Sequence, residues 1–235
     1  MDLKELSLVD PETHWYYQSK LAILKKARDR YFPHAMSLAD IGAGSGFFGL
    51  GLADFDAGMH VTCVDTAYLA DSSQLDGALR FVRSGEGVSA DVYLFIDILE
   101  HVVDDRALLT SYTATAAPGS LVLISVPAFM SLWSPHDVFL GHYRRYRLPQ
   151  LTALVTGAGL EVLHQRYLFG SIFPIVWLIR RLRRGRRPRS DLATLPRPLN
   201  RMLIRLLNAE GRLGCNRLAG VSAFVVARVP GRDPA

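Results

Sequence analysis

Cysteine is nearly absent: Cys63 and Cys215 are the only two in 235 residues, far apart and without histidines at metal-ligand spacing. A disulfide-stapled scaffold and a zinc knuckle are thereby excluded, and the pattern reads as reduced thiols in a cytoplasmic protein. Lysine is almost as scarce. All four lysines precede residue 27, so every later cation is an arginine. The opening Met1-Asp2-Leu3-Lys4-Glu5 mixes charges of both signs and lacks an apolar stretch, so no secretory signal is read there. The uncharged segment Tyr167–Ile179 is thirteen residues long and contains Pro174. That is too short to span a bilayer.

What is present points to a globular chain. Hydrophobic residues make up 49% and charged residues 21%, which excludes a disordered polymer. The net charge of +5 conceals an asymmetry: residues 180–235 hold 14 arginines against 3 acids, while residues 1–179 are net acidic. An amphipathic helix is expected over residues 12–31, with Trp15, Leu21, Leu24 and Ala27 inward and Lys20, Lys25 and Arg28 outward. Strand runs follow at 37–42, His60–Asp65, Arg80–Arg83, Asp91–Asp97, Ser120–Val126, Leu160–Tyr167 and Val221–Val229. Helices are expected at Phe47–Asp54, Asp104–Ala117 and Leu148–Ala158, the last stopped by Gly159. Such alternation predicts an α/β fold, a doubly wound, seven-stranded, mostly parallel sheet with helices on both faces and the last strand antiparallel.

The stretch Leu38-Ala39-Asp40-Ile41-Gly42-Ala43-Gly44-Ser45-Gly46-Phe47 carries the most information. It reads as a buried strand turning into a helix through glycines that let a ligand approach the backbone. A dinucleotide loop of the form G-x-G-x-x-G would place its third glycine at position 47, where this chain has Phe47. An NAD(P)-dependent oxidoreductase is therefore the weaker alternative. Acids close the next strands: Asp65 after the second, followed by Thr66, and Asp97 after the fourth, followed by Ile98. In doubly wound sheets ligands bind beyond these carboxyl ends. An acid there accepts from paired ribose hydroxyls, and an acidic rim suits a cationic ligand.

The D-x-G-x-G-x-G form resembles the cofactor loop of class I S-adenosylmethionine-dependent methyltransferases. The resemblance spans residues 12–166 and the last strand, and Asp97-Ile98-Leu99-Glu100-His101 is similar to the acid-x-x-Glu-His signature of the broad group with ubiquinone-biosynthesis O-methyltransferases and small-molecule methyltransferases. It implies that Asp40, Gly42, Ala43, Gly44 and Gly46 line the methionine end of the cofactor, Asp65 and Thr66 its ribose, and Asp97 and Ile98 the methionine edge. The loop Ser84-Gly85-Glu86-Gly87-Val88 departs from the family's adenine-binding pattern. A noncatalytic cofactor-binding partner subunit is a further alternative.

His101, with Glu100, is a candidate general base, since imidazole titrates near neutral pH. Relatives also imply a divalent metal site: Asp97, Glu100, His101 and His136 (or His142) would form a hard set for Mg or Mn. The segment Trp133–Tyr146 follows the fifth strand, and its Trp133, His136, His142, Tyr143, Arg144 and Arg145 are expected to bind substrate, the arginines suiting an anionic head. Tyr16 and Tyr17, beside His14 and Trp15, are expected in a lid at 1–36. The methyltransferase core is expected at 37–168 and 219–230.

Residues 169–218 form an insertion between the last two strands, with one helix over Gly170–Arg184, apolar nearly all round, and a second, amphipathic, over Leu199–Leu213. Seven arginines lie within 180–189. Trp177 and these cations suit peripheral membrane contact through 167–189 or a lipid-like substrate. Packing on the sheet, or a homodimer, is the alternative. A nucleic-acid acceptor ranks lowest because the cations are not interleaved with aromatics. The acceptor is accordingly expected to be a small hydrophobic or lipid-like molecule, methylated at oxygen.

Overall fold

A computed structural model describes residues 8–183, 185, 187, 188, 190–192, 194–211 and 216–231. Helix α1 (Trp15–Tyr31) leads into β1 (Ser37–Ile41), α2 (Phe47–Leu52), β2 (His60–Val64), β3 (Ser72–Gln74) and β4 (Leu79–Val82). Then come β5 (Val92–Ile96), α3 (Asp105–Thr113), β6 (Leu121–Pro127), α4 (Pro135–Leu140), α5 (Leu148–Gly157) and β7 (Glu161–Leu168). Helices α6 (Phe173–Leu182) and α7 (Arg197–Glu210) precede β8 (Ser222–Arg228).

One eight-stranded sheet results, in the order β3-β4-β2-β1-β5-β6-β8-β7. Strands β1, β2, β4, β5 and β6 pair in parallel, whereas β8 runs antiparallel to both neighbours. The expected count of seven is exceeded by β3, an antiparallel edge strand on β4. Its Ser-Ser-Gln sequence is exposed throughout, so no hydrophobic pattern announces it. Central β5 is buried along its whole length. Its side chains alternate between two cores, as a pleated strand requires: Val92, Leu94 and Ile96 join Leu24 and Phe48, while Tyr93 and Phe95 join Leu109 and Leu151.

Several elements are shorter than the periodicity suggests. Asp104 stands outside α3 and caps it, accepting from Ala107 N at 2.8 Å. In the second inserted helix, residues 212 and 213 lie outside the described residues. Cys63 is buried, and Cys215 lies outside the described residues. Two helices depart from expectation in orientation. On α1, Lys20 is fully buried instead of facing solvent. On α6, Arg180 is buried, while Ile175, Leu178 and Leu182 are 60%, 51% and 71% exposed. Among the described residues no helix is long and apolar enough to cross a membrane.

The insertion folds back over the carboxyl ends of the strands. Asn200 ties α7 to the start of α1, accepting from Trp15 N at 2.9 Å and donating to Thr13 O at 2.7 Å. Arg180 of α6 donates to Leu132 O at 3.0 Å. Helices α1, α6 and α7 thus form a cap on the side where parallel α/β sheets present ligands.

Candidate active site

Beyond β1 the backbone turns through Gly42, Gly44 and Gly46 with φ of 70°, 57° and 78°. An L side chain is strained in that region, which accounts for three glycines. The glycine at 42 has a second reason: a Cβ there would meet Ile98 at 2.5 Å. Asp40, 2% exposed, does not line an open surface; its Oδ2 accepts from Gly49 N at 3.0 Å and fixes α2 to β1. Burial lifts its carboxyl to about 6. Asp65 Oδ2 accepts from Gly44 N at 2.8 Å and its Oδ1 from Ala67 N at 2.9 Å. Each oxygen keeps a further lone pair for a ligand hydroxyl. Ala43 is buried beneath the loop and Thr66 is exposed.

The ends of β5, β6 and β7 share a feature. Asp97, Phe129 and Phe169 adopt φ of 53°, 56° and 63°, an uncommon and costly conformation for non-glycine residues. Each strand therefore bends sharply where it meets the cap. Asp97 Oδ2 accepts from Lys20 Nζ at 2.5 Å and from Tyr16 OH at 3.0 Å. Burial alone would raise the Asp97 carboxyl, but the Lys20 ammonium outweighs it and holds the group below its ordinary range. Burial and the same carboxylate push the Tyr16 phenol well above its own. Asp97 Oδ1 is buried with no hydrogen-bond partner. An orphaned carboxylate oxygen, three positive-φ glycines and Asp65 together fit a cationic, ribose-bearing cofactor of the S-adenosylmethionine type.

Next in the chain, Glu100 is fully buried and neither carboxylate oxygen has a hydrogen-bond partner. Burial, with Asp97 nearby, pushes its carboxyl well above the ordinary range. His101 stands edge-on to His142, ring centroids 4.6 Å apart. His142 Nδ1 bonds Asp137 Oδ1 at 2.9 Å, which leaves Nε2 facing the site. The set expected for a metal gathers only in part. Asp97 is engaged by Lys20 and Tyr16, and His136 Nδ1 accepts from Asp191 N at 3.1 Å. Among the described residues it is Glu100, His101 and His142 whose ligand atoms lie within 4.8 Å of one another.

The two arginines expected to meet substrate are used inside the protein. Arg144 donates to Asp105 Oδ2 at 2.9 Å and Val103 O at 2.6 Å, pinning the start of α3. Arg145, 5% exposed, donates from Nε to Asp137 Oδ1 at 2.7 Å and from Nη1 to Ala128 O at 3.1 Å. Asp137 is the hub of this region. Its capping box closes Ser134 N at 2.9 Å, and contacts to His142, Arg145 and Arg180 overcome burial to hold its carboxyl far below the ordinary range. Burial and Arg180 depress the His136 imidazole to about 3. Tyr143 is exposed, its N donating to Glu100 O at 2.8 Å, and Trp133 lines a separate shallow groove with Pro135 and Val138.

Under the cap lies a cavity of about 530 Å³. Asp97, Glu100, His101 and His142 form its polar floor, and Tyr16 and Tyr17 stand at its α1 side. Its roof is apolar, built by Ile175, Val176 and Ile179 of α6 with Leu199, Met202 and Leu203 of α7. The insertion is therefore part of a ligand chamber. That size and lining suit an organic molecule with one reactive polar end.

No protein-family model and no curated protein matches the sequence. Solved structures do match in three dimensions. A methyltransferase in complex with the Haloferax volcanii Trm112 activator is similar over 95% of this chain and 92% of that one, at 15% identity and a TM-score of 0.56. The chain has the class I methyltransferase fold. The plantazolicin methyltransferase BamL, in complex with a triazolic desmethylPZN analog and SAH, is similar over 96% and 88% of the two chains, at 11% identity and a TM-score of 0.51. The [4+2]-cyclase SpnF is similar as well, over 94% and 85%, at 15% identity and a TM-score of 0.56. The methyltransferase fold thus hosts more than one chemistry, and function must come from the site.

Three site residues escape a reading of the sequence. Lys20 carried a legible signal: with Tyr17, Leu21 and Leu24 it falls at i, i+3, i+4 and i+7 spacing on the buried stripe of α1. Asp137 is three residues from Ser134, five from His142 and eight from Arg145, a local grouping that the reading passed over, whereas Arg180 meets Leu132 and Asp137 from 48 and 43 residues away.

Proposed function

We propose that this protein is an S-adenosylmethionine-dependent methyltransferase that methylates an oxygen of a hydrophobic, lipid-like acceptor. The observation that carries the reading is the buried, unpartnered Oδ1 of Asp97, a residue that also lines the chamber. S-adenosylmethionine supplies an electrophilic methyl carbon when bound. Asp65 holds the ribose hydroxyls in this reading, Asp97 the methionine portion, and the chain's remaining task is to position the acceptor and take its proton. His142 is suited to that, because Asp137 fixes its Nδ1 and orients Nε2 toward the floor, with His101 against its ring. The apolar roof supports a hydrophobic acceptor. Exposed Leu178, Leu182 and Leu206 continue it outward, and this supports peripheral membrane contact, though Arg184, Arg186 and Arg189 of the expected basic run lie outside the described residues.

The convergence of Glu100, His101 and His142 favours a second reading of the floor, in which these three residues would hold a cation of the Mg or Mn type. Undiminished methyl transfer after exhaustive chelation would end it. For the main reading, calorimetric titration with S-adenosylhomocysteine and with NAD is decisive: the first is expected to bind and the second not. Asp65→Ala should weaken S-adenosylhomocysteine binding by about 1.5–3 kcal/mol, as for hydrogen bonds to a charged group. Unchanged affinity would remove Asp65 from the ribose.

A further inference from the structure

One end of the chamber holds charges that the methyl-transfer reading does not use. Arg180, on α6, is 7% exposed and faces Asp191 Oδ2 from Nε at 3.1 Å. Arg183, one turn on, meets Asp191 Oδ1 from Nη1 at 3.2 Å. Both arginines and Asp191 line the chamber, as do Arg145 and His136. Asp191 is therefore a carboxylate gripped by two guanidinium groups in the lining of the chamber.

The local field favours an anion there. Among the described residues, the carboxylates paired with the three arginines Arg145, Arg180 and Arg183 are the two of Asp137 and Asp191. The imidazole of His136, among them, is kept neutral by burial and by Arg180. Arg183 is the more accessible, its side chain 36% exposed against 9% for Arg180. Asp191 itself sits in the connection between α6 and α7, held by its N–H to His136 Nδ1 at 3.1 Å and by Ser134 Oγ at 3.3 Å. A carboxylate supplied by a connecting loop satisfies the arginines only as long as nothing better suited arrives. Planar guanidinium groups bind phosphate and carboxylate oxygens equally well in a bidentate manner.

We propose that Arg180 and Arg183 form an anion subsite occupied by Asp191 as a surrogate, and that the chamber takes a single-chain amphiphile whose phosphate or carboxylate head displaces Asp191 while its apolar part lies along α6 and α7. This rests on the methyltransferase reading for its purpose, because it names the class of acceptor, but binding at the subsite does not require the cofactor. His136 links the two ends: its ring centroid is 6.4 Å from that of His142. The head would therefore anchor the molecule one side chain away from the proton-accepting floor. The arginines expected to do this from the sequence, Arg144 and Arg145, are committed to Asp105 and Asp137.

The test is calorimetric titration of the full chain with decyl phosphate below its micellar range, against decanol and inorganic phosphate. Decyl phosphate should bind at least tenfold more tightly than either, since head and tail are both recognised. Asp191→Asn should tighten decyl phosphate roughly tenfold and leave decanol unchanged, by removing the competing charge. Arg183→Gln should weaken decyl phosphate roughly tenfold; its exposed side chain makes it the safer variant if Asp191→Asn folds poorly. Equal affinity for decyl phosphate and decanol, or weaker decyl phosphate binding by a folded Asp191→Asn chain, would overturn the proposal. So would inorganic phosphate binding as tightly as decyl phosphate, or binding to anionic phospholipid vesicles that decyl phosphate cannot displace. S-adenosylhomocysteine is titrated into the same samples. Its failure to bind would sink the methyltransferase reading and leave the anion result standing.

Discussion

The glycine loop and the cap hold buried acids in opposite ways. At the loop, Asp40 and Asp65 are held by backbone N–H groups of Gly49, Gly44 and Ala67, within 21 residues along the chain. At the cap, Asp97 is held by Lys20 across 77 residues and Asp137 by cations of α6 and the segment after α4. The electrostatic outcome differs accordingly. Asp40, whose hydrogen bond comes from a backbone N–H, is raised to about 6, while Asp97 and Asp137 are lowered. A backbone amide orients a carboxylate; a buried ammonium or guanidinium also keeps it charged. The loop is thus a preformed cradle, and the cap is fastened to the sheet by charge.

The largest test of that contrast is Lys20→Ala. Asp97 would keep only Tyr16, and an uncompensated buried charge costs about 3–5 kcal/mol. Urea denaturation should show a loss of that order, partly recovered when Asp97→Asn is added. A loss below about 1 kcal/mol would mean that water replaces the ammonium and that charge does not fasten α1.

Asp40 provides the opposite signature. Its folded carboxyl, at about 6, keeps a proton that the unfolded chain releases near the ordinary carboxylate value. Between those values the folded state binds more protons, so stability falls as pH rises from about 4 to 7. A shift of about two units corresponds to roughly 3 kcal/mol. Asp40→Asn, whose Oδ1 still accepts from Gly49, should lack that decline when denaturation midpoints at both ends of the range are compared. Parallel pH profiles in the two proteins would refute the assignment.

The same division explains what the sequence discloses. The sheet, its antiparallel last strand and the glycine loop were legible because strand periodicity and loop spacing are local properties. Strand β3 was not, because Ser72–Gln74 has no apolar residue to mark it. Within the site, Asp65 and Asp97 could be named from their places after strands, and Glu100 and His101 from the resemblance of their segment to the family signature. Their partners could not. Arg144 and Arg145 looked like free donors because Asp105 and Asp137 reach them only through the fold. Similarly, α6 looked like an apolar rod, whereas its lone buried residue is the cation Arg180.

Asp137→Asn should produce the smallest of the three stability effects, and the reason distinguishes a network from a pair. The amide is isosteric and retains one acceptor oxygen for Arg145 or Ser134 N. Arg180 keeps Asp191 at 3.1 Å and Arg145 keeps Ala128 O at 3.1 Å, so both guanidinium groups retain an acceptor although Arg145 loses its counter-charge. The expected loss is about 1.5–3 kcal/mol, that of weakened hydrogen bonds to charged groups. Because the Asp137 carboxyl is held far below its ordinary range, the wild-type advantage should be present at neutral pH and shrink as acid protonates the carboxylate in the unfolded chain and then in the folded one. His142 would lose its fixed Nδ1 partner at the same time, so turnover should fall with little change in the Michaelis constant. A stability loss exceeding that of Lys20→Ala would place the main fastening of the cap at α6 and not at α1.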